Sequence, residues 1–299
     1  MTIGSHLWCV VLASQTVPSC PALATPVDGV SVPPQYAVVD GETPLEATLR
    51  RGRALAPAER TLAVVHAAHR PFWKAHLSML PERHTLAVWT ALDDAAALLA
   101  AVATTLKRDP TAVIVTLPAW LAALDEALLA QAIVQAVALS EPVASTVSVV
   151  ADRAPSAPGD GASVSHVLRP MGIAAGHVSA WLRLFQRAMP VPLRATLIPL
   201  RHAGDLPGVW EHVVSAAPRV TLRDLFVGHP HLVRAVKLEG GGLADLRDPV
   251  QVERFLAARS PRVSGIYAPL AQTGDRGDLP RNAATAAPHR SPPRSAGDS

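Results

Sequence analysis

The first half of this chain alternates short, uninterrupted apolar runs with longer alanine- and leucine-rich stretches, and few folds accept that pattern. The runs are Trp8–Leu12, Thr61–Val65, Thr85–Trp89, Ala112–Leu117 and Ser145–Val150. They lack the polar alternation of half-exposed strands, so they read as strands covered on both faces. Between them, Pro44–Arg53, Pro71–Leu80, Asp93–Arg108 and Leu121–Ser140 have helical composition. Strands separated by helices predict an α/β, Rossmann-like fold, with a mainly parallel sheet flanked by helices. Asp93 and Asp94 would open their helix, capping free N–H groups and complementing its dipole. Lys107, Arg108 and Pro110 would close it.

The second half is less regular. Ala151–Ser165 is rich in Pro, Gly, Ser and Asp and reads as a loop. Helices are predicted at Val178–Met189 and Val250–Ala258, with a strand at Ala235–Leu238 between them. From about Tyr267 the chain is Pro-, Gly-, Arg- and Ser-rich without periodicity, which predicts a disordered tail. The expected organisation is one domain over residues 5–265 and a tail over 266–299.

Composition narrows the function. With 49% hydrophobic residues among 299, the chain can build a substantial core. Its longest apolar stretches, such as Ala95–Ala103, fall short of the roughly 20 residues a bilayer needs. Basic and acidic residues number 27 and 24, so no dominant field points to nucleic acid. Cys9 and Cys20 cannot form a disulfide framework. The apolar Leu7–Ala13 has no Lys or Arg before it and reads as a first strand rather than a signal peptide. The expectation is a cytoplasmic protein with no membrane or nucleic-acid partner.

Several segments, taken in order, carry a resemblance. Trp8-Cys9-Val10-Val11-Leu12-Ala13 is a first strand. Val32-Pro33-Pro34-Gln35-Tyr36 follows it, then Gly41-Glu42-Thr43-Pro44-Leu45-Glu46-Ala47-Thr48-Leu49. Ala68-His69-Arg70-Pro71-Phe72-Trp73 follows the second strand. Arg108–Pro118 and Gly242-Leu243-Ala244-Asp245-Leu246-Arg247-Asp248-Pro249 complete the set. Together they resemble the bacterial sugar-nucleotide pyrophosphorylases, most of all the mannose-1-phosphate guanylyltransferases, from about Leu7 to about Leu256. The resemblance implies a nucleotidyltransferase fold. It also implies a reaction in which a sugar 1-phosphate attacks the α-phosphorus of a nucleoside triphosphate and pyrophosphate leaves. Such catalysis is mostly positioning and charge neutralisation.

The resemblance assigns a nucleotide cleft around Leu12, Ala13, Ser14, Gln35 and Trp120. It gives Arg169 the place of a sugar-phosphate lysine and Asp245 that of a metal carboxylate. At the positions that carry charge, however, the chain departs from the family. The loop Ser14–Cys20 has no glycine, and Pro18 removes a donor. Ser19 replaces an arginine, Pro34 a lysine and Trp120 the first metal aspartate. Losing one preorganised charge-stabilising group typically costs roughly 10²–10³ in rate, and three are missing. Even with strong non-additivity, a loss of about 10⁵ or more is expected. The sequence therefore predicts a protein that has lost catalysis and acts on a protein partner by binding, regulation or scaffolding, with no cofactor. The alternative is an active enzyme with a rebuilt site, using GTP, mannose 1-phosphate and Mg²⁺.

Other signals have plainer readings. His66, His69 and His76 invite a metal site, but they span a strand-to-helix junction without a carboxylate set. His229-Pro230-His231 reads as a constrained loop. Ser215 and Ser264 lack a nucleophile elbow. Trp181 and Trp210, like Trp120, read as core. The arginines of the tail are mixed with Asp275, Asp278 and Asp298, as in a solvated linker.

Overall fold

The apolar runs of the first half form adjacent strands of one sheet. A computed structural model describes residues 4–19, 21–23, 31–89, 93–140, 145–153, 168–202, 219–240 and 242–259. β1 (Leu7–Ala13) is buried along its whole length and lies between β2 (Thr61–His66) and β4 (Val113–Pro118), parallel to both. β3 (Thr85–Val88) extends the row beyond β2, again parallel. Continuous apolarity follows from cover on both faces. Val11 and Ala13 pack with Leu45 and Leu49 in one cluster, while Val10 and Leu12 pack with Leu98 and Leu99 in the other. These helical residues come from α1 (Pro44–Arg53) and α3 (Asp94–Arg108).

The second half completes a seven-stranded sheet. After the short β5 (Leu121–Ala123) come β6 (Val147–Arg153), β7 (Leu168–His177), β8 (Val233–Leu238) and the short β9 (Leu243–Asp245). The sheet order is β3-β2-β1-β4-β7-β6-β8, and β5 pairs with β9 in a separate two-stranded sheet. β7 alone is reversed, running antiparallel to β4 and β6, while β6 and β8 are parallel. The mainly parallel α/β architecture expected from the sequence is therefore present.

Local chemistry fixes the helix ends. A turn at Asp40 and Gly41, both at positive φ, pairs Val39 with Glu42. The chain then enters α1 through a capping box: Thr43 Oγ1 accepts from the Glu46 N–H at 3.2 Å, and Glu46 accepts from the Thr43 N–H at 2.7 Å. α4 (Glu126–Ser140) is tied to α1 by the buried Arg51, which donates to Glu126 at 2.6 and 3.0 Å. Partial burial works against the charged form of Glu126, but Arg51 holds its carboxyl below the usual range.

Several expectations are corrected. Instead of a helix over Pro71–Leu80 there is one turn, α2 (Arg70–Trp73), followed by turns. There the Trp73 indole donates back to the His66 carbonyl, and Ser78 Oγ takes the Ala75 carbonyl, at 2.9 and 2.7 Å. Leu121–Ala123 is not the start of a helix but strand β5; the helix begins only after Asp125 accepts from the Leu128 N–H at 2.9 Å. The segment from Ala151 remains strand through Arg153, and residues 154–167 lie outside the described residues. α5 (Val178–Ala188) is as expected, but α6 (Pro190–His202) follows it directly. Two further helices, Leu222–Val227 and Pro249–Arg259, follow among the described residues. The second closely matches the helix predicted at Val250–Ala258.

Met1–Ser260 forms a compact unit. The domain end at residue 265 and the tail over 266–299 lie outside the described residues. Among the described residues, no helix is long and apolar enough to cross a membrane. Cys9 is a free, buried thiol whose pKa burial pushes up to about 12.

Candidate functional site

The two-stranded sheet brings the end of β4 to Asp245. As β4 closes, Ala119 donates its N–H to the Leu12 carbonyl at 2.9 Å, and Trp120 follows. β5 then pairs Leu121 with Asp245 of β9, and the Leu246 N–H donates to the Trp120 carbonyl at 3.0 Å. Trp120 is closed to solvent, at 2% exposure. Over its ring, with Cζ 4.3 Å from the centroid, lies the guanidinium of Arg247.

Arg247 is held on both sides. Its Nε and Nη2 donate to the two oxygens of Asp245 at 2.9 and 2.7 Å, a bidentate fork. Its Nη1 donates to Asp94 Oδ2 at 3.0 Å, and the other Asp94 oxygen accepts from the Gln15 side-chain amide. Asp94 is buried, at 5% exposure. Burial pushes its carboxyl above the ordinary range, and Arg247 opposes that push. Desolvation also works against the charge on Arg247, but Asp245 and Asp94 more than offset it and hold the guanidinium protonated. The role expected of the α3 carboxylates is thus corrected: Asp93 makes no side-chain cap hydrogen bond, and Asp94 faces Arg247.

A cleft of about 340 Å³ opens beside this cluster, lined in part by Asp94, Trp120, Arg169, Arg223, Asp245 and Arg247. Arg169 Nη2 donates to Gln251 Oε1, which also accepts from the Asp245 N–H at 3.1 Å. Gln251 in turn donates to Asp248 at 2.7 Å. Trp120, Arg169 and Asp245, all named from the sequence, therefore line one cleft.

Leu12, Ala13, Ser14 and Gln35 lie elsewhere, in the interior. Gln35 is buried beneath the loop after β1 and donates to the carbonyls of Ala13 and Gln15 at 3.2 and 2.7 Å. Its Oε1 and the Ser14 hydroxyl are buried without a partner. His66 and His69 approach to 4.9 Å between ring centroids, and His76 pairs with Glu46 at 3.2 Å. Among the described residues, no three His, Cys, Asp or Glu side chains are grouped to hold a metal. Trp181 is core, packed on Phe185 and Phe226; Trp210, Ser215 and Ser264 lie outside the described residues.

The donor set does not fit the Mg²⁺ that the fold family implies. Mg²⁺ demands near-octahedral oxygen coordination and gives up its water reluctantly. Trp120 stands at the position the resemblance gives to one carboxylate, and both oxygens of Asp245 and of Asp94 accept from neighbouring donors. Sequence reasoning missed Arg247 as the bridging cation, Asp94 as its second partner, and Arg223 and Gln251 as cleft residues. The only sequence signal was the Asp245-x-Arg247 spacing, which suits a carboxylate and a guanidinium in one turn.

Comparison with solved structures gives the fold. The chain is similar to mannose-1-phosphate geranyltransferase from Thermus thermophilus, at 21% identity and a TM-score of 0.66, covering 84% of this chain and 79% of that one. It is similar to mannose-6-phosphate isomerase from Helicobacter pylori at 12% identity and a TM-score of 0.58, covering 80% and 100%. A structure described as a glucose-1-phosphate thymidylyltransferase from Bacillus anthracis aligns at 8% identity and a TM-score of 0.50, covering 84% and 94%. The fold is thus nucleotidyltransferase-like, as the resemblance implied. No protein-family model matches the sequence, and no curated protein matches it significantly.

Proposed function

We propose that this chain, folded like the sugar-nucleotide pyrophosphorylases, has lost nucleotidyl transfer and acts by binding, as a regulatory or scaffolding protein in the cytoplasm. One observation carries the reading. Where the resemblance assigns a Mg²⁺ ion between two carboxylates, Arg247 supplies a built-in cation, stacked on Trp120 and paired with Asp245 and Asp94. A guanidinium can neutralise those carboxylates, but it cannot draw a triphosphate and a sugar phosphate into one coordination sphere. The loop arginine and the lysine are also absent, and the cleft's Arg169, Arg223 and Arg247 are matched in number by Asp94, Asp245 and Asp248, which leaves a triphosphate no net positive charge to meet.

The test is a nucleotide-release assay on the full chain with GTP, mannose 1-phosphate and Mg²⁺, following GDP-mannose and pyrophosphate. We expect no turnover above the protein-free background. Steady GDP-mannose formation, abolished by Asp245→Asn, would overturn the reading.

A second reading has its own support. The cleft of about 340 Å³ remains open, with Arg169 and Arg223 on its wall, within the size range of small-ligand sites. The names of the similar structures also point to sugar phosphates. On this reading the chain is an active mannose-1-phosphate guanylyltransferase-type enzyme in which Arg169 and Arg223 receive the phosphates. The same assay separates the two.

A further inference from the structure

A second cavity, of about 490 Å³, lies at the corner where α5 turns into α6. Arg183, Gln186 and Arg187 of α5, Pro190 and Arg194 of α6, and His231 line it, and among the described residues no Asp or Glu does. The arginines do not serve the core. α5 buries Val178, Trp181, Leu184 and Phe185, leaving Arg183 and Arg187 exposed one turn apart. Like charges at this spacing disfavour the helix. The first turn of α6 at the same corner has no acidic residue, and its dipole adds to the positive potential.

Some arginines of the described residues are matched by carboxylates: Arg50 pairs with Glu42, Arg51 with Glu126, Arg247 with Asp94 and Asp245, and Arg259 with Asp40. Arg183, Arg187 and Arg194 have no ion-pair partner among the described residues. Three guanidiniums converging on one concavity focus the field there, and each offers a planar fork matched to phosphate oxygens.

We propose that this groove binds a small molecule carrying two or more linked phosphates. Three guanidiniums exceed what one phosphate can engage, and the linked phosphates of a diphosphate or triphosphate can engage them together. The site is separate from the cleft at Arg247 and does not depend on whether the chain is an enzyme.

The experiment titrates the full chain with sodium tripolyphosphate by calorimetry at constant ionic strength, with sulfate as the control. One saturable site per chain is expected for tripolyphosphate and none for sulfate. Replacing both Arg187→Gln and Arg194→Gln should weaken binding by about tenfold or more, as loss of two charge-assisted contacts requires. Arg183→Gln, at another exposed position, should weaken it independently. Thermal melts without ligand establish that the variants fold. Unchanged affinity in these variants, absence of saturable binding, or a loss seen instead in Arg169→Gln would overturn the proposal.

Discussion

Arg247 and Trp120 are stacked, the guanidinium carbon 4.3 Å from the ring centroid, and that stack is what lets one cation serve two carboxylates. The indole forms an apolar floor, so the hydrogen-bonding edges of the guanidinium face Asp245 and Asp94. Arg247→Ala removes the cation and leaves the buried Asp94 uncompensated. Breaking a fully buried pair costs roughly 3–5 kcal/mol; because Arg247 is partly open, we expect about 2–3 kcal/mol. For a domain of this size that lowers Tm by about 5–10 °C. Millimolar MgCl₂ should restore part of the loss in the variant, in which Asp94 Oδ2 and Asp245 Oδ2 have lost their donors, and leave the native chain unchanged. A variant as stable as the native chain would show that the triad does not hold the site together.

Gly172 provides a test of the reversed strand. Its φ of +84° suits glycine, and a Cβ there would meet Pro118 Cγ at 3.0 Å and Leu222 Cδ1 at 3.1 Å. Its carbonyl also accepts from Thr116 Oγ1 at 2.7 Å, stitching β7 to β4. Gly172→Ala combines left-handed backbone strain with overpacking, each of order 1–2 kcal/mol. Urea unfolding should show a loss of about 2 kcal/mol or more, with an unchanged m-value. A neutral substitution would mean that β7 follows another path past Pro118.

Stability should fall between about pH 6.5 and pH 4, above the range in which most carboxylates titrate. Burial, with a smaller contribution from His66, lowers the pKa of His69 from 6.5 to about 4. His84 is lowered in the same direction, by burial and then by Arg108. A histidine depressed in the folded state is protonated first in the unfolded chain. Its contribution is therefore complete above the unfolded value and is lost as pH falls toward the folded one. His69→Phe keeps a ring against Tyr36 and Phe72 and removes the titration. Melts across this range should show a shallower pH slope for the variant, and an identical slope would refute the assignment.

These sites differ in how far the sequence revealed them. β1, β2 and β4 were legible because burial on both faces leaves an unbroken apolar run, as in Leu7–Ala13, whereas the edge strand β3 is only partly buried. β7 was not, since Pro170, Gly172 and Gly176 depress strand propensity, and only pairing with β4 and β6 makes Leu168–His177 a strand. Pro190 and Pro192 hid α6, although prolines in a first helical turn have no partner for an N–H to lose. Within the site, Asp245 could be picked out by resemblance. Its pairing with Arg247 is local, but the link from Arg247 to Asp94 joins segments far apart in the chain. No local pattern encodes such a link; it exists only once β5 and β9 pair.

The last prediction separates the two anion sites. GTP carries linked phosphates, so the groove at Arg187 and Arg194 is expected to take it, while the cleft at Arg247 is not. A ligand at 100 times its Kd stabilises the fold by about 2.7 kcal/mol, or several degrees in Tm at about 2–4 °C per kcal/mol. In the native chain, any shift with GTP should shrink when Mg²⁺ is added, because the ion neutralises the phosphates the arginines engage. In the Arg187→Gln, Arg194→Gln background, millimolar GTP with Mg²⁺ should give no shift, with or without mannose 1-phosphate. A shift that persists in that background and requires Mg²⁺ would locate the triphosphate beside Asp245. It would mean that Arg169 and Arg223 have taken over the work of the missing arginine and lysine, and Arg169→Gln should then abolish it.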